Sequence, residues 1–142
     1  SHKAAFERGQ WFDGPHDGAG LRVRSDRPTL SIVISNLISN AVEHGAEGSE
    51  IRCALSDDGE RVRFELENRV AEPLDPTAIE ALTDPFWRAN AARSDSGHAG
   101  LGLALTQRLA ELLELDLSFA VDGERFTAIL GMPRIAALRS VP

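Results

Sequence analysis

The stretch LSIVISNLISNAVEHG, from Leu30 to Gly45, decides the fold of this chain. Its apolar residues recur at steps of three and four, which is the period of a helix with one buried face. Asp26 and Pro28 lie just before it and are typical of a helix start, and Gly45 supplies the stop. The sequence therefore predicts one long amphipathic helix here.

Three polar residues of this helix, Asn36, Asn40 and His44, follow one another at intervals of four. At about 100° per residue they share a stripe about 80° wide at the rim of the apolar face. Asparagine is a poor helix former, because its short amide competes for nearby backbone groups. The stripe is either a solvated flank or a row of ligands. An amide oxygen is a hard, neutral ligand that suits Mg²⁺.

The rest of the chain predicts an α/β fold. Alternating apolar and polar residues predict strands at 21–24, 51–55, 62–66, 117–121 and 126–132, and a helical period predicts a second helix from about 100 to 113. The last four strands are grouped as two hairpins, each closed by an Asp-Gly turn. We therefore expect a two-layer sandwich, with a mixed, mainly antiparallel sheet and helices on one face.

Composition narrows the class of protein. The chain has 142 residues, of which 42% are hydrophobic, which fits one globular domain. Its net charge of −7 argues against a nucleic-acid partner. No apolar run reaches the roughly 20 residues that span a bilayer, so we expect no direct membrane contact, although an anchor could lie upstream. The lone Cys53 excludes an internal disulfide and suits the reducing cytoplasm.

Two further motifs are candidates for chemistry. GHAGLGL, from Gly97 to Leu103, comes immediately before the second helix. Glycines let the backbone approach a ligand, and a helix start offers free N–H groups to phosphate. A plain connection would have the same composition, and no P-loop lysine follows. DPFWR, from Asp84 to Arg88, places an aromatic pair in a polar stretch, which also fits a loop pinned to the core.

In order and spacing these motifs resemble the ATP-binding catalytic domain of sensor histidine kinases, in a superfamily that also holds gyrase, the large heat-shock chaperone and mismatch-repair ATPases. NLISNAVEHG at 36–45 is similar to the N box, DPFWR at 84–88 to the F box, and GHAGLGLAL at 97–105 to the G2 box. The resemblance implies a Bergerat-type ATP-binding fold with ATP and Mg²⁺ as cofactors. It also implies a lid between the F and G2 boxes that closes over ATP.

The resemblance implies roles for individual residues. Asn40 corresponds to the Mg²⁺ ligand, and Asn36 stands where ATP-hydrolysing relatives carry a glutamate that activates water. Because an amide cannot take that proton, the match favours phosphotransfer over hydrolysis. Asn36 and Asn40 are therefore the expected catalytic residues. The expected ATP-binding residues are Asn36, Asn40, His44, Asn68, Phe86, Arg88, Arg93, Gly97, Gly100, Leu101, Gly102 and Leu103.

Three parts of the sequence depart from the family pattern. The G1 box, here NRVAE from Asn68 to Glu72, lacks both glycines, and Asn68 replaces the aspartate that reads the adenine amino group. His98 stands where the first glycine of the G2 box would be. Glu43 replaces a lysine that many of these kinases place near the phosphates, so Arg88 or Arg93 would have to meet their charge.

The resemblance implies that this domain supplies the γ-phosphate of ATP to a histidine on dimerisation helices of the same protein, which lie upstream and serve a response regulator. Two alternatives stay open, a non-catalytic nucleotide-sensing or partner-binding module and a stand-alone anti-sigma serine kinase. Ser1 and His2 are typical of a cleaved expression tag, so we expect a longer natural protein. The expected segments are a tag scar and irregular lead-in at 1–20, the ATP-binding domain at 21–135 and a tail at 136–142.

Overall fold

The computed structural model describes residues 7–14, 23–71 and 98–134, and for 98–102 it describes the backbone alone. Its elements are β1 Trp11–Asp13, α1 Arg27–His44, β2 Glu50–Asp57, β3 Arg61–Arg69, α2 His98–Leu112, β4 Asp116–Asp122 and β5 Arg125–Pro133. Both helices and both hairpins are therefore confirmed. None of the helices in these ranges combines the length and apolar character needed to cross a membrane.

The described strands form one sheet in the order β1-β2-β3-β5-β4. β1 runs parallel to β2, and every other neighbouring pair is antiparallel. Side chains alternate between the two faces of such a sheet, and one face is buried while the other carries the charged residues. The predicted mixed, mainly antiparallel sheet is confirmed.

The hydrophobic core lies between the buried face of the sheet and the two helices. Its buried members include Val33, Leu37, Ala41 and Val42 of α1, Val62, Phe64 and Leu66 of β3, and Ala128, Leu130 and Met132 of β5. α1 and α2 also contact each other, so both helices belong to one layer. The fold is the expected two-layer α/β sandwich.

Local chemistry sets both ends of α1. The Asp26 carboxylate accepts a hydrogen bond from the backbone N–H of Thr29 at 3.1 Å, which caps the helix start. At the other end Gly45 has a φ of −69°, so it is not there for a left-handed turn. A Cβ on Gly45 would instead lie 2.5 Å from the carbonyl oxygen of Ala41 and 2.7 Å from Nε2 of Gln10. Close approach of the backbone explains this glycine.

The segment expected as an irregular lead-in contains a strand. β1 pairs with β2 through Trp11 and Glu50, Phe12 and Ile51, and Asp13 and Arg52. Sequence analysis missed it because a strand of three residues shows almost no alternation. The strand expected at 21–24 is reduced, in its described part, to a single bridge between Val23 and Arg134.

Candidate functional site

The rim of α1 carries the three polar residues singled out from the sequence. Asn36, Asn40 and His44 are each half-buried, at the border between the core-facing and exposed sides of the helix. This is the position expected from their spacing. Their side chains are held by a helix whose apolar face is fixed in the core, so the rim itself is well anchored.

The end of α1 meets the end of β3. Gly45 forms an isolated antiparallel bridge with Val70, and the backbone N–H of Ala46 donates to the carbonyl oxygen of Arg69 at 2.6 Å. Asn68 lies two residues before Val70 on the same strand. The polar rim of α1 and Asn68 therefore converge at one end of the sandwich, which we call the site end.

Asn68 is the most unusual polar residue at the site end. Its side chain lies on the helix-facing side of the sheet, between Ile51 and Phe126 on the neighbouring strands, and the residue is 2% exposed. Its Nδ2 group is buried and has no hydrogen-bond partner in the described part of the chain. A buried donor left unpaired costs about 1–3 kcal/mol. The geometry thus calls for an acceptor from outside these residues, such as a ring nitrogen of a purine.

His44 is the last residue of the polar rim, and its imidazole is neutral. Burial lowers its pKa below the ordinary 6.5, and the charge of Arg8 lowers it further, while Glu43 acts in the opposite sense. Nε2 of His44 is buried without a hydrogen-bond partner among the described residues, and the nearest carboxylate oxygen, on Glu43, is 4.0 Å away. His44 therefore brings no positive charge to the site near pH 7.

The start of α2 differs slightly from its prediction. The helix begins at His98, so Gly100, Leu101 and Gly102 are helical rather than part of a loop. Leu103 is 2% exposed and belongs to the buried layer. Burial of Leu103 and the residues after it outweighs the roughly 1 kcal/mol by which a glycine disfavours a helix. The N–H groups of the first turn have no partner within the helix, as an anion site requires.

Four of the predicted site residues cannot be placed. Phe86, Arg88, Arg93 and Gly97 lie outside the described residues, as does the expected lid. Their assigned roles stay predictions.

The donor set of the site fits one kind of metal ion. Within residues 7–14, 23–71 and 98–134, no three His, Cys, Asp or Glu side chains are grouped to hold a metal. A half-buried amide such as that of Asn40 suits Mg²⁺, which keeps several waters and shares its remaining ligands with substrate phosphates. The residues present therefore fit a magnesium ion that arrives with a nucleotide.

A separate cavity of about 530 Å³ opens on the charged face of the sheet. It is lined by Trp11, Arg52, Glu67, Arg69 and Arg125, among others. Arg52 and Glu67 are direct partners on neighbouring strands, so opposite charges alternate across this surface. The cavity opens on the side of the sheet away from the helices, and its lining also includes Ala46 and Val70, so it adjoins the site end.

Sequence reasoning missed Gln10. This residue precedes β1, is 5% exposed, and its Nε2 donates to the carbonyl oxygen of Val42 at 3.2 Å. A single glutamine in a glycine-containing stretch gives no periodic signal. Its partner lies 32 residues further along the chain, so local patterns cannot reveal the contact.

Comparison with protein families places the fold in a known group. Residues 25–134 match the histidine kinase-, DNA gyrase B- and HSP90-like ATPases. The chain belongs to this family. The match begins just before the Asp26 cap of α1 and ends at the close of β5, so it covers both helices and four of the five described strands, and β1 lies before it.

Relatives of this ATPase domain are sensor kinases. Sensor protein VanSB of Enterococcus faecalis is 32% identical over 121 residues, which cover 84% of this chain and 27% of the relative. Histidine kinase ThkA, in complex with response regulator protein TrrA, matches with a TM-score of 0.75 and 21% identity over 94% of this chain and 37% of that one. Full-length ShkA in complex with AMPPNP matches with a TM-score of 0.72 and 23% identity over 99% of this chain and 29% of that one.

These comparisons agree with the motifs. The chain spans about a quarter of the length of VanSB, and its match to the two structures shows a shared fold. The domain belongs to an ATPase family that includes the histidine kinases, and sensor kinases are among its relatives, as the resemblance of its motifs predicts.

Proposed function

We propose that this domain binds Mg-ATP at the site end and supplies the γ-phosphate to a histidine on dimerisation helices of the same protein, for onward transfer to a response regulator. The observation that carries this proposal is Asn68, a buried amide whose Nδ2 donor has no partner among the described residues. It lies at the site end, where the polar rim of α1 also terminates.

Asn68 selects the base in this proposal. Its Nδ2 donates to a ring nitrogen of adenine, and its side-chain oxygen accepts from the adenine amino group. Guanine presents the reverse order of donor and acceptor at these positions, so it would pair with Asn68 only after the amide rotated out of the orientation that leaves Nδ2 unpartnered among the described residues. A neutral amide makes weaker hydrogen bonds than a carboxylate, so we expect modest affinity.

The two asparagines of α1 act on the phosphates. Asn40 would hold Mg²⁺ through its amide oxygen, and the bound ion would supply positive charge for the phosphates. Asn36 cannot act as a base toward water, since its amide does not accept a proton near pH 7. The domain therefore retains ATP for transfer and hydrolyses little of it. Arg88 and Arg93 are our candidates for the positive charge that Glu43 and neutral His44 do not provide.

One observation favours a second candidate, a non-catalytic module of the same fold. Val70 stands at a position where the resemblance implies a glycine of the G1 box, and it is 9% exposed and bridged to Gly45. A side chain in that position occupies space that the family's glycine leaves open. The sensor kinases among the relatives in turn favour a histidine kinase over a stand-alone serine kinase.

Calorimetric titration with AMPPNP tests nucleotide binding directly. With Mg²⁺ present we expect saturable binding, and in EDTA an affinity at least about tenfold lower, because the Asn40 amide has little to bind without the ion. Matched titrations with the guanine analogue should be weaker. No binding heat at millimolar Mg-AMPPNP would rule out the nucleotide site.

The acid stability of the product tests phosphotransfer. The longer natural protein is incubated with ATP labelled at the γ-phosphate, and the labelled protein is then treated with acid or alkali. A phosphohistidine loses its label in acid and keeps it in alkali, whereas a phosphoserine behaves in the opposite way. Nucleotide binding without any labelling would support the non-catalytic module.

A further inference from the structure

The side chain of Gln10 caps a helix that lies far along the chain. Its Nε2 donates to the carbonyl oxygen of Val42, in the last turn of α1, at 3.2 Å and to that of Ala46 at 3.4 Å. A helix leaves its last four carbonyls without partners inside the helix. Gln10 therefore satisfies an end of α1 that α1 cannot satisfy itself.

Neighbouring contacts fix Gln10 in this position. The Arg8 guanidinium donates to the carbonyl oxygen of Gly45 at 2.8 Å, and the N–H of Gly48 donates to the carbonyl oxygen of Arg8 at 3.0 Å. A side chain on Gly45 would begin 2.7 Å from Nε2 of Gln10. The glycine that ends α1 thus makes room for the glutamine that caps it.

The same capping contact reaches the other half of the proposed site. Ala46 accepts a hydrogen bond from Gln10 through its carbonyl oxygen, and its N–H donates to Arg69 at 2.6 Å. Arg69 directly follows Asn68. Gln10 therefore lies at the junction between the helix that carries Asn40 and the strand that carries Asn68.

Filling space does not explain the choice of glutamine. Both partners of Nε2 are carbonyl oxygens, so the amide must point its NH₂ group toward them. Its Oε1 is then buried and has no hydrogen-bond partner in the described part of the chain. An apolar side chain of the same length would avoid that cost, but it would leave the end of α1 unlinked to the loop beyond it.

We propose that Gln10 is a positioning residue for the nucleotide site, because its amide holds the end of α1 against the end of β3 and so fixes Asn40 relative to Asn68. This inference rests on the proposed function. It assigns a role in nucleotide binding to the segment before the domain's first strand. In the proposed site this segment contacts neither the metal nor the base.

Two substitutions of Gln10 separate hydrogen bonding from packing. Gln10→Met keeps the length and the burial but donates nothing. Gln10→Glu keeps the shape but sets a carboxylate against two carbonyl oxygens. Titration of this chain with Mg-AMPPNP should show a dissociation constant about fivefold higher for Gln10→Met, which is the low end of coupling between linked sites, and a larger increase for Gln10→Glu.

Leu55→Ala provides the matched control. Leu55 is half-buried against the core near the far end of β2, so its truncation lowers the thermal midpoint without touching the site end. We expect this variant to bind Mg-AMPPNP as the parent does at a temperature where both are folded. If Leu55→Ala and Gln10→Met weaken binding equally at a matched loss of midpoint, or if Gln10→Met binds as the parent does, the positioning role is wrong.

Hydrogen exchange without nucleotide provides a second readout. The N–H groups of Gly45 and Ala46, which bond to Ala41 and Arg69, should exchange faster in Gln10→Met than in the parent. Unchanged exchange would overturn the inference. A parent that binds no Mg-AMPPNP would instead contradict the proposed function, so the two failures are distinguishable.

Discussion

The two ends of β3 differ in whether their polar groups have hydrogen-bond or ion-pair partners. At the end where β2 turns into β3, which we call the turn end, Asp57 pairs with Arg134 at 2.8 Å. The Asp58 carboxylate accepts from the backbone N–H groups of Glu60 and Arg61 at 2.9 and 2.7 Å. Arg61 forms an ion pair with Asp116 across the sheet. The charged side chains at the turn end therefore form ion pairs or hydrogen bonds with other groups of the same chain.

The site end leaves polar atoms without partners among the described residues. Its buried, unpartnered atoms are Arg8 Nε, Gln10 Oε1, His44 Nε2 and Asn68 Nδ2. Away from this end, the same is true of Ser25 Oγ, near the start of α1, and of Arg61 Nη1 at the turn end, which in the described part of the chain has only its ion pair with Asp116. Unmet buried polar atoms are rare in folded proteins and need an explanation. Unpartnered buried atoms are thus more numerous at the site end, which supports the proposal that a ligand binds there.

Asn40→Ala should have the largest effect on function. We expect a loss of Mg-AMPPNP affinity of at least about 100-fold, since even groups that only support a metal ligand cost 10–100-fold when removed. The thermal midpoint should stay within about 5 °C of the parent, or roughly 1 kcal/mol, because Asn40 lies at the rim of the core. Calorimetric titration and thermal unfolding give both values.

Ser39→Ala, which changes an exposed neighbour on the same helix, is the control for Asn40 and should alter neither value. A fall of more than about 5 °C in Asn40→Ala would make the asparagine structural. The metal-ligand assignment would then be wrong.

Asn68→Leu should lower the affinity for nucleotide without lowering the thermal stability. An apolar side chain of similar size removes the unpartnered donor, so the nucleotide-free protein should unfold at the same temperature or a few degrees higher. Affinity for Mg-AMPPNP should fall about tenfold, the equivalent of one or two lost hydrogen bonds. Leu66→Ala, on the same face of β3, is the control and should lower stability by about 2–5 kcal/mol.

Two further substitutions of Asn68 test how the base is recognised. Asn68→Asp gives up the hydrogen bond to the ring nitrogen, but its carboxylate accepts more strongly from the adenine amino group, so we expect binding to be kept or tightened. Asn68→Ala should weaken binding and reduce the preference for ATP over GTP. Equal binding of both nucleotides by Asn68→Ala and the parent would mean that adenine is recognised elsewhere.

The sequence predicts this contrast only in part. Spacing alone places Asn40 at the rim of α1, and the alternation that buries Phe64 and Leu66 continues to Asn68, so local patterns locate both. That Nδ2 of Asn68 has no partner among the described residues depends on segments far apart in sequence, which no local pattern contains. Gln10 shows the same limit more sharply, since its role exists only once the chain has folded.

His44 makes the site end sensitive to acid. Burial lowers the pKa of its imidazole in the folded protein, so below pH 6.5 the unfolded chain binds the proton more readily than the folded one. The free energy of unfolding should therefore decrease as the pH falls through 6.5 toward the lowered pKa. Denaturant titrations at several pH values should show a shallower decrease for His44→Gln. An identical slope in both proteins would show that His44 is not responsible.

The turn end should give the smallest effect. Arg134→Ala removes the partner of Asp57, and ion pairs near the surface contribute about 0–1 kcal/mol. We expect a small loss of stability, diminished in high salt, and unchanged affinity for Mg-AMPPNP. If the variant weakened nucleotide binding as much as Asn68→Leu does, the conclusion that only the site end contributes to binding would be wrong.

The parallel pairing of β1 has a consequence for the order of folding. Arg8 reaches Gly45 across 37 residues, and β1 itself contributes only three residues to the sheet. A distant contact must close a loop before it yields any stabilisation, and β1 offsets that cost with only three residue pairs, whereas the more distant pairing of β3 with β5 has nine. We therefore expect the first segment of the described chain to dock last. The last turn of α1 would then reach its final structure only after this first segment has docked, although the segment is synthesised before α1.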